Sequence, residues 1–187
     1  EFRPDYSPEV YTGLCKIDGF LVACIGNRQG NWAGITGYAD YPGFGGKLYA
    51  GTYTSNDPCR VWRFDGPGPE DWTAVSEDGF GDAANHGAYS MAVYKGALYA
   101  GVWNARMTGC EIWRYSGSGT SWTKVNQNGF GTKDNNTAET LIVFGNLLYV
   151  GTGNSASGGQ LWTYDGSAWT KSGNSGFGTN NNWTINA

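Results

Sequence analysis

Histidine occurs once in this sequence, and no two of its four cysteines form a CxxC pair. That is too few soft ligands, at the wrong spacing, for the usual tetrahedral zinc sites. Charged residues make up only 15% of the chain, the net charge is −4, and no cluster of lysines or arginines occurs. Binding a nucleic-acid backbone needs a concentrated cationic face to displace counterions, so no nucleic acid is expected as a partner. No apolar run approaches the roughly 18 residues that would span a bilayer, and no membrane span is expected. An initiating methionine and a signal peptide are also missing. A chain opening Glu1-Phe2-Arg3-Pro4 reads as a processed mature protein, an excised fragment or a cloning scar.

Glycine and aromatic residues are abundant instead, with 31 glycines and an aromatic share of 16%. Disorder goes with few aromatics and high charge, so this is a folding composition. Short apolar runs separated by glycine and asparagine point to an all-β, extracellular or cell-surface protein. Cys15 and Cys24 flank the hairpin dipeptide Asp18-Gly19 and are close enough in such a hairpin to form a disulfide. Asn135 and Asn182 begin Asn-x-Thr sequons and are candidate glycosylation sites.

The chain repeats itself. Leu48-Tyr49-Ala50-Gly51 recurs from Leu98 and, with one change, from Leu148. Each copy is followed by VWRFDG, IWRYSG or LWTYDG, from Val61, Ile112 and Leu161. Next comes a tryptophan (Trp72, Trp122, Trp169) and, seven residues later, the first glycine of a Gly-Phe-Gly. An apolar run such as SMAVYKG then leads back to the start. Every piece has the length, β-branched and aromatic content, and turn-forming borders of a strand. Lys95-Gly96, Gly145-Asn146, Asp65-Gly66 and Asp165-Gly166 occupy tight-turn slots.

Four short antiparallel strands per repeat of about 40–50 residues predict a β-propeller of four-stranded blades. Residues 1–187 form one domain on this reading, with repeats at 48–97, 98–147 and 148–187. Residues 1–47 hold a degenerate blade and the first strand of the next, since LCKIDGFLVACIGN from Leu14 lies in register with MAVYKGALYAGVWN from Met91. An irregular fourth blade is expected from the two termini, or by completion from another chain. Trp62, Trp113 and Trp162, with Trp72, Trp122 and Trp169, are expected in the core between blades.

The LYAGT…(V/I/L)W(R/T)(F/Y)(D/S)G…W-x₆-GFG pattern resembles the repeats of secreted bacterial and archaeal β-propeller proteins. It is similar, more loosely, to kelch-type and tectonin-type propellers. The resemblance covers Leu48 to Gly178, while the kelch double glycine and the sialidase S-x-D-x-G-x-x-W box are absent. It implies the fold and leaves function open, because propellers host many activities.

No catalytic set emerges from the residues. The acids show no pairing by spacing, Asp65 and Asp165 sit in turns, and His86 lies in the loop DAANHG without a neighbouring nucleophile. No catalytic residue, metal ligand or cofactor is therefore assigned. Calcium would suit the oxygen-rich loops around each GFG, but they lack the order of a calcium loop. Departures from the repeat are more telling. Trp103 stands where the other repeats have Tyr53 and Gly153, beside Asn104 and Arg106, and Trp32 and Trp183 have no tryptophan in register. Aromatic rings with amide and guanidinium neighbours suit the apolar face and hydroxyls of a sugar, so these six residues are the candidate ligand site. The expected function is a non-catalytic secreted recognition module for carbohydrate, its partner a glycan or cell-surface ligand. The alternatives are a structural subunit that self-assembles into an oligomer, fibre or surface layer, and a glycan-acting hydrolase or lyase.

Overall fold

The computed structural model describes residues 11–17, 20–26, 32–33, 44, 47–66 and 71–187, the first three segments and Leu48 by backbone alone. Among the described residues all regular structure is strand, apart from a single 3₁₀ turn at each GFG. Four antiparallel sheets follow one another along the chain. The first holds β1 (Tyr11–Ile17), β2 (Phe20–Gly26) and β3 (Trp32–Ala33); the second holds β4 (Leu48–Gly51), β5 (Val61–Phe64) and β6 (Trp72–Ala74). The third holds β7 (Asn85–Tyr94), β8 (Ala97–Asn104), β9 (Glu111–Tyr115) and β10 (Trp122–Lys124). The fourth holds β11 (Thr137–Phe144), β12 (Leu147–Gly153), β13 (Leu161–Tyr164) and β14 (Trp169–Ser172). Within each sheet the strands lie in chain order, as tight turns dictate.

The register follows the turn chemistry. Tyr94 pairs with Ala97 across Lys95-Gly96, whose φ values of 47° and 73° need residues tolerant of the left-handed region. Ile17 pairs with Phe20 in the same way, so the backbone of β1 and β2 keeps the hairpin register expected from the LCKIDGFLVACIGN match. Asp165 Oδ1 accepts the amides of Ser167 and Ala168 at 2.7 and 2.8 Å, which makes it a turn residue and holds its carboxyl below the ordinary range. The proposed Cys15–Cys24 disulfide concerns side chains outside the described residues.

The third sheet is buried on both faces. Along β8, Leu98, Ala100 and Val102 join Tyr49, Val61 and Val75 of the second sheet, while Ala97 and Tyr99 join Leu141, Leu148 and Val150 of the fourth. Alternation along a strand sends successive side chains to opposite faces, so one strand serves two cores. The second, third and fourth sheets thus stack face to face.

Two of the three GFG turns fasten one sheet to the next. Phe80 leaves the second sheet and enters the third, its ring stacked on Trp113 at 5.3 Å and edge-on to Trp122 at 5.1 Å. Phe130 repeats this against Trp162 at 4.6 Å and Trp169 at 5.0 Å. Both phenylalanines adopt φ near +57° (58° and 56°), a conformation that costs an ordinary residue about 1 kcal/mol or more and is retained here for the clamp. The tryptophans answer with hydrogen bonds: Trp122 Nε1 donates to the Val75 carbonyl at 2.7 Å and Trp169 Nε1 to that of Val125 at 2.8 Å. Of the tryptophans expected in the core, Trp113, Trp122 and Trp169 pack against the two core clusters. All six are half-buried, and in Trp122 and Trp169 the indole N–H reaches a carbonyl of the preceding repeat. The deepest side chains are smaller, with Tyr115, Leu98, Ile112 and Leu148 among them.

Phe177 occupies the third GFG with the same backbone, φ 53°, yet is 67% exposed. Phe130→Ala is expected to lower the unfolding free energy by about 3 kcal/mol and Phe177→Ala by less than about 0.5 kcal/mol. Denaturant unfolding followed by tryptophan fluorescence would separate the two, and equal losses would contradict the clamp.

Candidate functional site

Two of the predicted site residues meet. Tyr53 follows β4 and forms an isolated bridge with Gly87, the residue of β7 that pairs with Trp103. This brings the Tyr53 and Trp103 rings, from different repeats, to a centroid distance of 5.5 Å. Tyr89 packs edge-on to Tyr53 at 5.5 Å, and His86 edge-on to Trp103 at 6.0 Å. All four rings are half-buried. Gly87 makes the cluster fit, since a Cβ there would come within 2.4 Å of the Tyr89 ring and 2.9 Å of Tyr53.

Tyr89 and His86 were not foreseen. In β7 the register slips at both: Asn85 pairs with Asn104 and Gly87 with Trp103, then Ala88 with Val102 and Ser90 with Gly101. Each is the extra residue of a β-bulge, a device that turns a side chain out of the ladder. The fourth sheet bulges at the matching position, Glu139, between Ala138 and Thr140. In the sequence GAYSMAV and TAETLIV lie in register, with Tyr89 in the place of Glu139.

Glu139 is half-buried, and burial raises its carboxyl above the ordinary range, opposed in part by the Thr137 hydroxyl. Gly153 stands where Trp103 does in the previous repeat, and a Cβ there would lie 2.8 Å from Glu139 Oε1. Burial likewise raises the Tyr89 hydroxyl, with further contributions from Tyr53 and the Glu139 charge. His86 Nε2 lies 3.1 Å from the Ala83 carbonyl and donates to it, while Nδ1 is buried with no hydrogen-bond partner among the described residues.

Other predicted residues lie elsewhere. Asn104 is fully buried: Nδ2 donates to Asn85 Oδ1 at 2.9 Å, and Oδ1 accepts the Arg106 amide at 3.0 Å. Arg106 is exposed. Trp183 is 59% exposed and makes no ring contact with the cluster. Trp32 pairs with Gly26 through its backbone, its side chain outside the described residues.

Asn135 lies inside the fold as well. Its Nδ2, the atom a glycan would need, is fully buried and donates to the Gly129 carbonyl at 2.9 Å and to Gln160 Oε1 at 2.8 Å. Asn85 does the same toward Gly79 and Glu111, and Asn182 donates to Gly176 at 2.9 Å. The repeated phrase is therefore GFG-x₃-Asn, an amide that ties the exit turn of one sheet to the next. Asn182 is exposed.

Cys59 and Cys110 are free, buried thiols, each raised to about 12 by burial. They are inert packing groups. Among the described residues no group of three histidines, cysteines or acids could hold a metal. No described helix is long and apolar enough to cross a membrane. A separate groove of about 450 Å³ is lined by Phe44, Tyr49, Arg63 and Asp65. There the guanidinium of Arg63 donates to Asp65 at 2.7 and 2.9 Å and holds its carboxyl far below the usual range, leaving a neutralised pair.

No family model matches the chain. One curated protein, the alpha subunit of glutaconyl-CoA decarboxylase from Acidaminococcus fermentans, is 41% identical over 54 residues. That stretch takes in 26% of this chain and 9% of the subunit, so the chain spans about a tenth of that relative's length. The match is about as long as one repeat.

The burial of Glu139 fixes the sign of a pH effect. The folded state holds this proton more tightly than the unfolded state, so Glu139 costs stability as pH rises from the ordinary glutamate range through its raised folded value. Glu139→Gln is expected to raise the melting temperature at neutral pH and to lose that advantage at acid pH. Thermal unfolding of both proteins across that range checks it; a gap that widens on acidification would contradict the burial.

Proposed function

We propose that this chain is a non-catalytic recognition module whose stacked sheets are blades of a β-propeller, and that the Tyr53–Trp103–Tyr89 cluster takes a carbohydrate. The meeting of Tyr53 and Trp103 from different repeats carries the reading. Half-exposed rings offer the apolar face that a pyranose covers, and a rigid scaffold holds them without an ordering cost on binding. Glu139 adds an acceptor at the edge of the cluster. The scarcity of charge and the asparagine- and glycine-rich loops favour an extracellular or cell-surface setting.

Hydrolysis of a glycan by the usual route requires two carboxylates. Among the described residues Glu139 enters the cluster alone, which favours recognition over turnover. The assembly reading draws on a different surface, the outer face of the fourth sheet, where Phe144 is 75% exposed.

Calorimetric titration against a panel of oligosaccharides tests the carbohydrate reading. Saturable binding is expected to at least one, weakened at least tenfold, or about 1.4 kcal/mol, by Trp103→Ala and by Tyr53→Ala. Phe177→Ala should bind normally. Absence of binding across the panel, or binding indifferent to both ring deletions, would overturn it.

A further inference from the structure

We infer that the ligand of the ring cluster carries a protonated amine, received by the Glu139 carboxylate while Tyr53, Tyr89 and Trp103 cover its apolar part. The inference rests on the carbohydrate reading and narrows it to a chain of amino sugars. Register is what brings the rings and the carboxylate together.

Tyr89 and Glu139 hold one position in two successive repeats, each the extra residue of a β-bulge. β7 and β11 pack together there: the hydroxyl of Ser90, next to Tyr89, donates to the carbonyl of Ala138, next to Glu139, at 3.1 Å. The bulge turns both side chains out of the ladder, one aromatic and the other acidic. Their neighbours alternate as well. Gly87 pairs with Trp103 in the third sheet, and Thr137 pairs with Gly153 in the fourth. Where the third sheet offers an indole, the fourth has no side chain, and the Glu139 carboxylate takes that space. Its Oε1 lies 2.8 Å from where a Cβ of residue 153 would stand. A group of rings is thus followed directly by a carboxylate.

That carboxylate lacks a cation among the described residues. Glu111 is met by Lys124 at 3.1 Å, Asp65 by Arg63 at 2.7 Å, and Asp78 by Arg60. Glu139 is half-buried and is offered the Thr137 hydroxyl instead. Its surroundings are described on both sides, with β7 packed on one and, on the other, Gly153 bridged to Thr184. Desolvating a carboxylate without a counter-charge costs free energy, which an incoming cation recovers. The rings add to the selection, because an ammonium over an indole or phenol face is attracted by the ring quadrupole. A net charge of −4 draws a polycation toward the whole chain. A neutral sugar would cover the rings and leave the carboxylate unmatched, and an acidic one would be repelled by it.

Calorimetric titration of the full chain with two probes tests this: glucosamine oligomers, and the N-acetylated oligomers of equal length. The pH is set above the ordinary glutamate range and below the pKa of the amine. Acetylation removes the charge and keeps the pyranose rings. The glucosamine probe is expected to bind tighter by about tenfold or more, and Glu139→Gln to erase the difference. Thermal unfolding of that variant checks that it is folded. Equal binding of the two probes, weakened in both by Trp103→Ala, overturns the amine inference and leaves the carbohydrate reading in place. A preference for glucosamine that survives Glu139→Gln also overturns it, since the charge is then sensed by the acidic surface at large. Binding of neither probe overturns it as well, and the oligosaccharide panel then decides the carbohydrate reading alone.

Discussion

The structure depends on a phenylalanine held in an unfavourable backbone conformation so that its ring can enter the adjoining sheet. Phe80 and Phe130 sit between pairs of tryptophans that belong to the next repeat. The glycines on either side let the chain turn sharply enough to aim the ring outward, at φ 55° and 90° around Phe80. A small twisted sheet buries too little surface to stand alone, so each repeat is stable only as part of a stack. The clamp supplies that stacking and gives it a direction, because each sheet offers a ring on one side and a slot on the other.

A polar relay runs beside the aromatic one. Asn85 and Asn135 sit where the chain passes between sheets, each amide shared by the exit turn behind and by Glu111 or Gln160 ahead. Those acceptors also take the indole hydrogens of Trp113 and Trp162 at 2.9 and 3.1 Å. Buried amides with every hydrogen bond made fix one arrangement, because any slip would leave polar groups unpaired. The relay holds the sheets at one separation, and that separation lets Tyr53 and Trp103 meet across it.

Strand order, hairpin register and the stacking of repeats were legible in the sequence, since Leu-Tyr-Ala-Gly and the turn dipeptides recur at fixed spacing and local chemistry decides them. The direction of an amide was not legible. Asn104 beside Trp103 reads the same whether it faces a ligand or a neighbouring asparagine, and the Asn135 sequon hides a structural residue. Bulges defeated prediction for another reason. One extra residue reverses which face a side chain takes, and neither Tyr89 nor Glu139 announces the slip. Trp103 stands out in the sequence because the other repeats have Tyr53 and Gly153 in its place.

The most direct test of the clamp is the coupling between its two members. A double-mutant cycle of Phe130→Ala and Trp162→Ala, read by equilibrium unfolding, isolates their interaction from the burial each makes elsewhere. A coupling energy of about 1 kcal/mol or more is predicted for stacked rings 4.6 Å apart. Additivity to within about 0.3 kcal/mol would mean that the two rings are merely neighbours and that the sheets are held together by something else.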